Sequence, residues 1–420
     1  MELLPRIRDE LAFAGNIRKS YLYRFLMNFQ LWWPIWVIYL LKERGLSYTQ
    51  ITLLDTPFFI LIVLAEVPTG AVADRFGRKT SLMLASTLFA VAVFVFGIAQ
   101  NYLVILVSYT AWGLAQTFQS GADAAILYDS LKQIGREDDF QRINGRLWAV
   151  TSFAVLIAML IGAPIASATS LSFPIVLSAA IGLAAVPVAA SMHEPRHQRD
   201  PDEENYFRTV TRGIREAWHT PPLRYIILFS GILFMATFAP LIFLQPFLVH
   251  HSVSVGDLGL WQAPVRAAGI VSALLTARFV ARAGQRAAFL AMPLALGGCY
   301  VALAGVDHIY AYAAFLPVGM VAGMQNPVLS SYVNRRIPSE RRATILSVQS
   351  VVGSMMLAAM EPTGGFVADQ LGLRALFLLF GVLVLTVGPA VLWLWNRVET
   401  GELSAAGLAG ERPSEAVPVS

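Results

Sequence analysis

Apolar stretches of about 20 residues, separated by short polar loops, recur along nearly the whole chain. An α-helix needs about that length to cross the ~30 Å hydrocarbon core of a bilayer. The stretches lie near 21–41, 48–73, 80–100, 102–128, 143–167, 172–192, 222–249, 256–282, 286–306, 308–334, 343–368 and 371–396. The pattern predicts an all-α, polytopic membrane protein with twelve transmembrane helices in two six-helix bundles.

A polar segment between the sixth and seventh stretches divides the chain. We expect an N-terminal six-helix bundle, 1–192, with a short cytoplasmic N-terminus, and a C-terminal six-helix bundle, 222–397. The cytoplasmic linker between them, 193–221, is charged and is predicted to include a surface helix around Tyr206–Trp218. Residues 398–420 are rich in Ala, Gly, Pro and Ser, which predicts a disordered cytoplasmic tail.

Lysine and arginine concentrate in alternate loops, beginning with the N-terminal segment, whereas the opposite loops hold only Lys42, Arg44 and Arg374. Cytoplasmic loops carry the excess of positive charge, so both termini are predicted to be cytoplasmic. One missed helix would move all later loops to the other side and remove this asymmetry, which supports the count of twelve. The protein is therefore expected to be multi-pass in an inner or plasma membrane.

Composition narrows the function classes. Only 14% of residues are charged, against about 25% in soluble proteins, and the net charge of +4 is spread over short loops, so no nucleic-acid partner is expected. The single cysteine, Cys299, excludes disulfides within the chain. The sequence has no phosphate-binding Walker loop, and its histidines fall in predicted loops or at helix ends, which argues against ATP-driven transport and a histidine-dependent membrane enzyme. We expect no cofactor and no metal.

The loop between the second and third stretches carries a charged signature, Gly-x-x-x-Asp-Arg-x-Gly-Arg-Lys. It is made by Gly70, Asp74, Arg75, Gly77, Arg78 and Lys79. The first glycine permits close helix packing and the second suits a tight turn. This signature resembles the corresponding loop of major facilitator superfamily transporters, and the resemblance covers about 20–397.

The resemblance implies the fold of that superfamily, with both six-helix bundles moving about a central site. It also implies that Asp74 meets the N-terminal end of the eleventh helix near Arg341 or Arg342, which would lock the inner side shut. The whole signature loop and these two arginines are thus a predicted conformational gate.

Two partial repeats of the signature occur later. Arg282, Gly284 and Arg286 form a degenerate copy where a six-plus-six duplication predicts one. Glu361-Pro-Thr-Gly-Gly-Phe-Val-Ala-Asp369 echoes Glu66-Val-Pro-Thr-Gly-Ala-Val-Ala-Asp74, but it lies at the outer end of the eleventh helix and is not counted as evidence of duplication.

Charged residues inside a bilayer cost at least ~2.5–3.5 kcal/mol each and need a partner or a wet cavity. Counted from the helix starts, Arg266 lies about 15 Å deep and Asp55 about 10 Å deep on the same side. The resemblance implies that their helices flank the interface between the two bundles. We therefore predict an Asp55–Arg266 pair. A gate, a proton or substrate site, a permanent structural ion pair and unpaired placement remain open.

A second polar cluster is predicted near the cytoplasmic end from Arg24 on the first helix, Glu66 on the second and Asp123 on the fourth. Asn28 lies one turn from Arg24, and Gln116 shares a helix face with Asp123. The role of the cluster is either structural or proton-titrating. Gln325 and Asn326 on the tenth helix, together with Trp32, Trp33 and Trp36, suit the lining of a cavity for amphipathic ligands. Lipid-facing packing is the alternative for these side chains.

The leading functional hypothesis is a secondary active transporter that exports a small organic or drug-like compound in exchange for protons. Its expected partners are a small-molecule substrate, protons as coupling ion and the lipid bilayer, and we expect a monomer. Proton-coupled exporters of the superfamily that this sequence resembles usually have an arginine in the fourth helix, four residues before a glycine, and a longer glycine-rich signature in the fifth helix. Here Tyr109 stands four residues before Gly113, and the fifth-helix signature is reduced to Gly162-Ala-Pro164. Both departures weaken the hypotheses of proton coupling and of export. The alternative is an importer or uniporter of a small polar or anionic metabolite, which Arg266 favours. A transporter-like receptor is disfavoured because the loops are short.

Overall fold

The computed structural model describes residues 3–195, 215, 218–336 and 339–408. For residues 3–10, 221, 334–336, 339–344 and 402–408 it describes the backbone alone. The described residues are almost entirely helical and include no strand, which confirms the predicted fold class.

The first half of the chain forms nine helical segments in the described region. They are α1 (Leu3–Asn28), α2 (Trp36–Lys42), α3 (Tyr48–Leu53), α4 (Asp55–Phe76), α5 (Arg78–Ile98), α6 (Tyr102–Gln133), α7 (Phe140–Ala168), α8 (Phe173–Leu183) and α9 (Ala185–Ser191). A short 3₁₀ turn, Glu137–Asp139, precedes α7.

The second half contains α10 (Pro221–Phe238), α11 (Leu244–His250), α12 (Leu258–Ala283), α13 (Gln285–Gly305) and α14 (Phe315–Arg336). A last helical stretch, Ser339–Leu408, turns at Gly372, whose φ is 82°, so that two helices meet there: α15 (339–371) and α16 (373–408). Turns of 3₁₀ helix at Ala239–Phe243, Val255–Asp257 and Ile309–Ala314 connect neighbouring segments.

Eight helices in the described residues are long and apolar enough to cross a membrane. One of them, Ile345–Gly401, contains the turn at Gly372 and therefore holds parts of both α15 and α16. The count of twelve crossings stays a prediction. The helix continues to Leu408, so the predicted disordered tail does not begin at 398. The surface helix expected around Tyr206–Trp218 falls mainly outside the described residues.

The first predicted helix, 21–41, is not continuous. It ends at Asn28 and resumes at Trp36, with an irregular stretch containing Pro34 between the two parts. Hydropathy did not reveal this break because the intervening residues are also apolar. Proline has no N–H to donate and its ring clashes with the preceding turn, which explains why the helix is interrupted there.

Glycines with positive φ form the two related turns that the sequence singled out. Gly77 joins α4 to α5 with φ 95°, and Gly284 joins α12 to α13 with φ 82°. A side chain disfavours this region of backbone conformation, so glycine is the residue expected at both. The degenerate second copy thus keeps the turn although it has lost the aspartate.

The chain forms two compact units. The first contains Met1–Glu203, Leu241–Ala267 and Ala358–Leu373, and the second contains Glu204–Pro240, Ala268–Leu357 and Arg374–Ser420. In the first, α5 packs against α6 and α8, and the buried hydroxyl of Tyr23 donates to the carbonyl of Leu82 at 2.9 Å. The predicted division into bundles at 193–221 stays a prediction.

In the second unit α12 and α14 approach closely through small residues. A Cβ on Gly323 would overlap the carbonyl of Gly269, and a Cβ on Gly269 would lie 2.9 Å from the carbonyl of Gly319. The hydroxyl of Ser272 donates to the carbonyl of Met320 at 2.7 Å across the same contact. Small residues allow this close backbone packing, which drives helix association where lipid replaces water.

We expect Gly323→Ala to lower the thermal stability of the protein in detergent, because overpacking a tight contact costs about 1–3 kcal/mol. Gly298→Ala is the matched control, since a Cβ at Gly298 meets nothing within 4 Å. Unfolding midpoints of both variants would be measured by intrinsic fluorescence. Equal midpoints would show that the α12–α14 contact is not tight.

Candidate functional site

An aromatic cluster surrounds the break in the first helix. Trp32 is 2% exposed and stacks on Trp33, with ring centroids 5.5 Å apart. Trp112 lies 5.1 Å from Trp32 and 5.0 Å from Phe58. Trp32 and Trp36 are buried in this packing, so of the three tryptophans proposed as cavity lining only Trp33 remains partly accessible.

The break leaves backbone groups without helical partners, and polar side chains of the same unit take their place. Gln245 accepts from the N–H of Val37 at 3.1 Å and donates to the carbonyl of Trp33 at 2.9 Å. Gln262 donates to the carbonyl of Pro34 at 2.9 Å. Backbone groups at membrane depth must be satisfied within the protein, so these amides hold the break in a defined shape.

Arg266 lies beside the aromatic cluster. Its guanidinium carbon is 5.9 Å from the centre of the Trp33 ring, within the range of a cation–π contact. Arg266 is an exposed residue of α12, a helix that is long and apolar enough to cross a membrane.

The predicted Asp55–Arg266 pair is wrong for this structure. Asp55 is 5% exposed and accepts a hydrogen bond from the hydroxyl of Tyr109 at 2.7 Å. Its carboxyl group also lies within hydrogen-bonding reach of Glu361, which is 3% exposed. Asp55 opens α4, and Tyr109 extends from α6 at the position where the exporter pattern has arginine. A tyrosine there supplies a donor without a charge.

Sequence reasoning did not select Glu361 as a site residue. It was noted only as part of the echo of the signature loop, although an acidic residue inside the apolar stretch 343–368 is itself a signal of function. What the sequence could not show is that Glu361 and Asp55 face each other, because they are far apart along the chain.

The same helix, α15, also holds the start of α3. Asp369 accepts from the N–H of Tyr48 at 2.9 Å and from the N–H and the hydroxyl of Thr49 at 2.8 and 2.6 Å. Ser47 and Gln50 complete a capping box on the same turn. The free N–H groups at a helix start carry partial positive charge, so a carboxylate is a stabilising partner for them. We call this contact the Asp369 latch.

The structure brings two members of the second predicted cluster together. Arg24 forms an ion pair with Asp123, and the ring of Trp148 lies 5.5 Å from the Arg24 guanidinium carbon. Asn28 instead donates to the carbonyl of Arg24 on its own helix at 2.8 Å. Gln116 is partly buried on α6, and Glu66 is exposed on α4. The participation of Glu66 in the cluster stays a prediction.

The signature loop is held within the first unit. Arg78 donates to the carbonyl of Ala125 at 2.8 Å and pairs with Asp129, both near the end of α6. The carboxylate of Glu194 accepts from the N–H groups of Arg78 and Lys79 at 2.7 and 2.8 Å, which caps the start of α5.

Asp74, Arg75 and Gly70 of the predicted gate make no such hydrogen bonds to other described segments of the chain. Asp74 and Arg75 are exposed, and the Arg75 guanidinium lies 5.5 Å from the ring of Phe76. Gly70 has open space where a Cβ would be, so close packing does not require glycine there. The side chains of Arg341 and Arg342 lie outside the described residues, so the inner lock stays a prediction.

The second unit contains a polar cavity of about 550 Å³ between α10, α14 and α15. Its polar lining consists of Ser230, Gln325, Asn326, Ser330, Gln349 and Ser350. Gln325 is 1% exposed, and neither its amide nitrogen nor its amide oxygen has a hydrogen-bond partner in the structure. Buried polar atoms normally have partners, so a free amide in a cavity wall indicates a place where a ligand or water binds. Within the described residues no cluster of His, Cys, Asp and Glu fits a metal ion.

Comparison with known proteins agrees with this architecture. The family model of the Major Facilitator Superfamily matches residues 25–360. The chain is 24% identical over 387 residues to the uncharacterized MFS-type transporter YxaM of Bacillus subtilis, covering 86% of this chain and 90% of that protein. It is 24% identical over 370 residues to the multidrug efflux pump Tap of Mycobacterium tuberculosis, covering 83% and 86%.

Solved structures share the fold at low sequence identity. A mutant of the nucleoside transporter NupG matches with a TM-score of 0.80 and 14% identity over 90% of this chain and 99% of that one. A bacterial homologue of the human lysosomal transporter Spinster, in an inward-facing conformation, matches with a TM-score of 0.72 and 16% identity over 98% and 99%.

The Asp369 latch should depend on pH. Burial alone would raise the pKa of Asp369, but hydrogen bonds from Thr49, from the backbone of Tyr48 and from Ser47 outweigh it and hold the pKa below its usual range. A depressed pKa in the folded state gives a stabilisation that is complete at neutral pH and is lost as pH falls through the folded-state pKa, below about pH 4.

We therefore expect Asp369→Asn to lower the unfolding midpoint at neutral pH, by an amount corresponding to about 1 kcal/mol for a lost cap. The difference from the wild type should shrink as both proteins are acidified below about pH 4. Asp138→Asn, at an exposed loop position, is the control. A difference that stays constant with pH would contradict the role given to the carboxylate.

Proposed function

The protein belongs to the major facilitator superfamily, and on this premise we propose that it exports small organic compounds across the membrane in exchange for protons. It is a multi-pass membrane transporter.

The observation that carries the proposal of proton coupling is the buried Asp55 carboxyl. It is hydrogen-bonded to a neutral tyrosine, and no ion pair to it occurs among the described residues. A carboxylate without a cation is costly at membrane depth, so binding and releasing a proton is the natural way for this group to change state. A movable proton of this kind is what a proton-driven transporter requires.

The cavity in the second unit supports the choice of substrate. Its polar lining offers amide and hydroxyl groups and no charged side chain among the described residues, with Phe234, Leu329 and Leu346 as apolar neighbours. Such a surface suits neutral, amphipathic molecules that carry hydrogen-bonding groups. Export is further supported by the similarity to the efflux pump Tap over most of the chain.

Orientation follows from the positive-inside rule. With both termini cytoplasmic, the signature loop lies at the inner side and the Asp369 latch lies at the outer side. Two bundles would then rock around the central site and expose it alternately to either side. In this scheme the latch is closed in the state that the structure shows, and Glu194 shapes the loop that would close the inner side.

An import function remains as a second candidate because of Arg266. The Arg266 guanidinium, at an exposed position beside Trp33, would bind the carboxylate or phosphate of an anionic metabolite well.

Transport in everted membrane vesicles tests the proposed export. With a pH gradient imposed, we expect wild-type vesicles to accumulate the neutral dye Nile red and to lose this uptake when an ionophore collapses the gradient. Asp55→Asn should abolish the gradient-driven part because the movable proton is gone, whereas Asp138→Asn should leave it intact. Dye flux that is equal with and without the gradient would refute proton-coupled export.

The two candidates differ at Arg266. In right-side-out vesicles, an importer of anions would take up small carboxylates or phosphates, and Arg266→Ala should abolish that uptake. The export proposal expects no such uptake in either protein. Arg266→Lys separates charge from geometry, because lysine keeps the positive charge but not the bidentate donor pair.

A further inference from the structure

We propose that Asp55 and Glu361 form one two-carboxyl site that holds a single exchangeable proton, and that this proton controls the contact between α4 and α15. The inference rests on the proposed proton-coupled transport, and it names the atoms that carry the proton and the movement that they govern. Glu361, which was not among the predicted site residues, is thereby given a function.

The first step concerns hydrogen-bond donors. An ionised carboxylate only accepts hydrogen bonds, so two carboxyl groups that bond to each other must share at least one proton. The hydroxyl hydrogen of Tyr109 is already committed to Asp55 at 2.7 Å. It cannot also join the two acids, so the proton between them comes from solvent. Two carboxyl groups within hydrogen-bonding reach of each other cannot both be ionised without a large cost in free energy.

The second step concerns neutralising charge. The titratable groups that face the pair are Tyr109 on α6, Asp55 on α4 and Glu361 on α15. Arg266 lies over Trp33, and Arg24 pairs with Asp123. Within the described residues no cation reaches the two acids, so a proton is the charge that balances them. The Oε2 atom of Glu361 is buried and has no hydrogen-bond partner in the structure, so it is an oxygen on which the proton can reside.

The third step concerns position. The start of the second predicted helix, α3 and α4, runs antiparallel to the end of α15, and the two stay in contact along one face. At one end of this contact, Asp369 accepts hydrogen bonds from the N–H groups of Tyr48 and Thr49. Next, Gly365 approaches the Tyr48 carbonyl so closely that a Cβ would lie 2.6 Å from it. Glu361 then meets Asp55, and at the other end the carbonyl of Ala358 accepts from the Thr56 hydroxyl at 2.8 Å. The carboxyl pair is therefore an integral part of this contact.

These steps define a switch. With one proton bound, the pair carries a single negative charge and its hydrogen bond joins α4 to α15. When the proton leaves to water, two negative charges face each other across the contact and repel, so the helices separate. In the proposed orientation the contact lies at the outer side, where protons from outside would close it after the substrate has left.

Infrared difference spectroscopy of the purified protein tests the shared proton without any substrate. At neutral pH we expect the carbonyl stretch of one protonated carboxyl group, which disappears on alkaline titration. Both Asp55→Asn and Glu361→Gln should lose this band, because the amide that replaces one acid donates to the remaining carboxylate. Asp138→Asn should keep it. A wild type without the band, or a band that survives in both variants, would overturn the proposal.

Spin labels test the control of the contact. In a Cys299→Ser background, labels placed by Glu43→Cys and Gln370→Cys occupy exposed positions on the two sides of the contact. We expect their distance to be short at acidic and neutral pH and to lengthen at alkaline pH. Adding Glu361→Gln should hold it short at every pH, since no second charge forms. A shift with pH that is identical with and without Glu361→Gln would refute the switch.

Dye transport separates this inference from the proposed function. If the wild type shows gradient-driven uptake and Glu361→Gln shows none, both stand. If Glu361→Gln transports as well as the wild type, the switch is wrong while proton-coupled export survives. If the wild type shows the infrared band and the spin-label shift but no gradient-driven uptake, the switch stands as a pH-controlled contact and proton-coupled export falls.

Discussion

The constraint on which the structure depends is that polar groups at membrane depth must find partners inside the protein. The break in the first helix obeys it because Gln245 and Gln262 bind the freed carbonyls of Trp33 and Pro34. The start of α3 obeys it because Asp369, Ser47 and Gln50 take its free N–H groups. The amide of Gln325 and the Oε2 atom of Glu361 have no hydrogen-bond partner in the structure. At these two places a ligand, a water molecule or a proton would complete the hydrogen bonding.

The echo between Glu66–Asp74 and Glu361–Asp369 has a physical interpretation that duplication did not supply. Both segments end in an aspartate at the end of a long helix, and both precede a glycine turn with positive φ, at Gly77 and Gly372. Asp369 caps the start of α3 from the end of α15. The superfamily resemblance implies the reciprocal contact, Asp74 at the start of the eleventh helix. Similar sequences would then serve as latches at opposite ends of one antiparallel helix pair.

The sequence predicted those features that depend on local pattern. Hydropathy gave the helical class, and the glycine spacing gave the turn at Gly77. Helix periodicity and position brought Arg24 near Asp123, which the structure confirms. The pattern failed where partners are distant along the chain: depth estimates placed Asp55 and Arg266 on one side, but depth does not fix the direction in which a side chain points. The break near Pro34 was missed for a related reason, since apolar composition does not distinguish a helix from an irregular stretch held by distant amides.

The buried acids and the polar cavity lie in different units of the chain. The cavity of the second unit is lined by amides and hydroxyls, whereas the acids lie in the first unit among aromatic rings. A proton on the acids therefore need not compete with a substrate for the same atoms. The proposed proton coupling would then pass through movement of helices, because a proton on the acids and a substrate in the cavity would each act by favouring one conformation over the other. The α4–α15 contact contains both the acids and the latch, and α15 also contributes Gln349 and Ser350 to the cavity. α15 therefore contacts both the proposed proton site and the proposed ligand site, and its position is a variable through which each would influence the other.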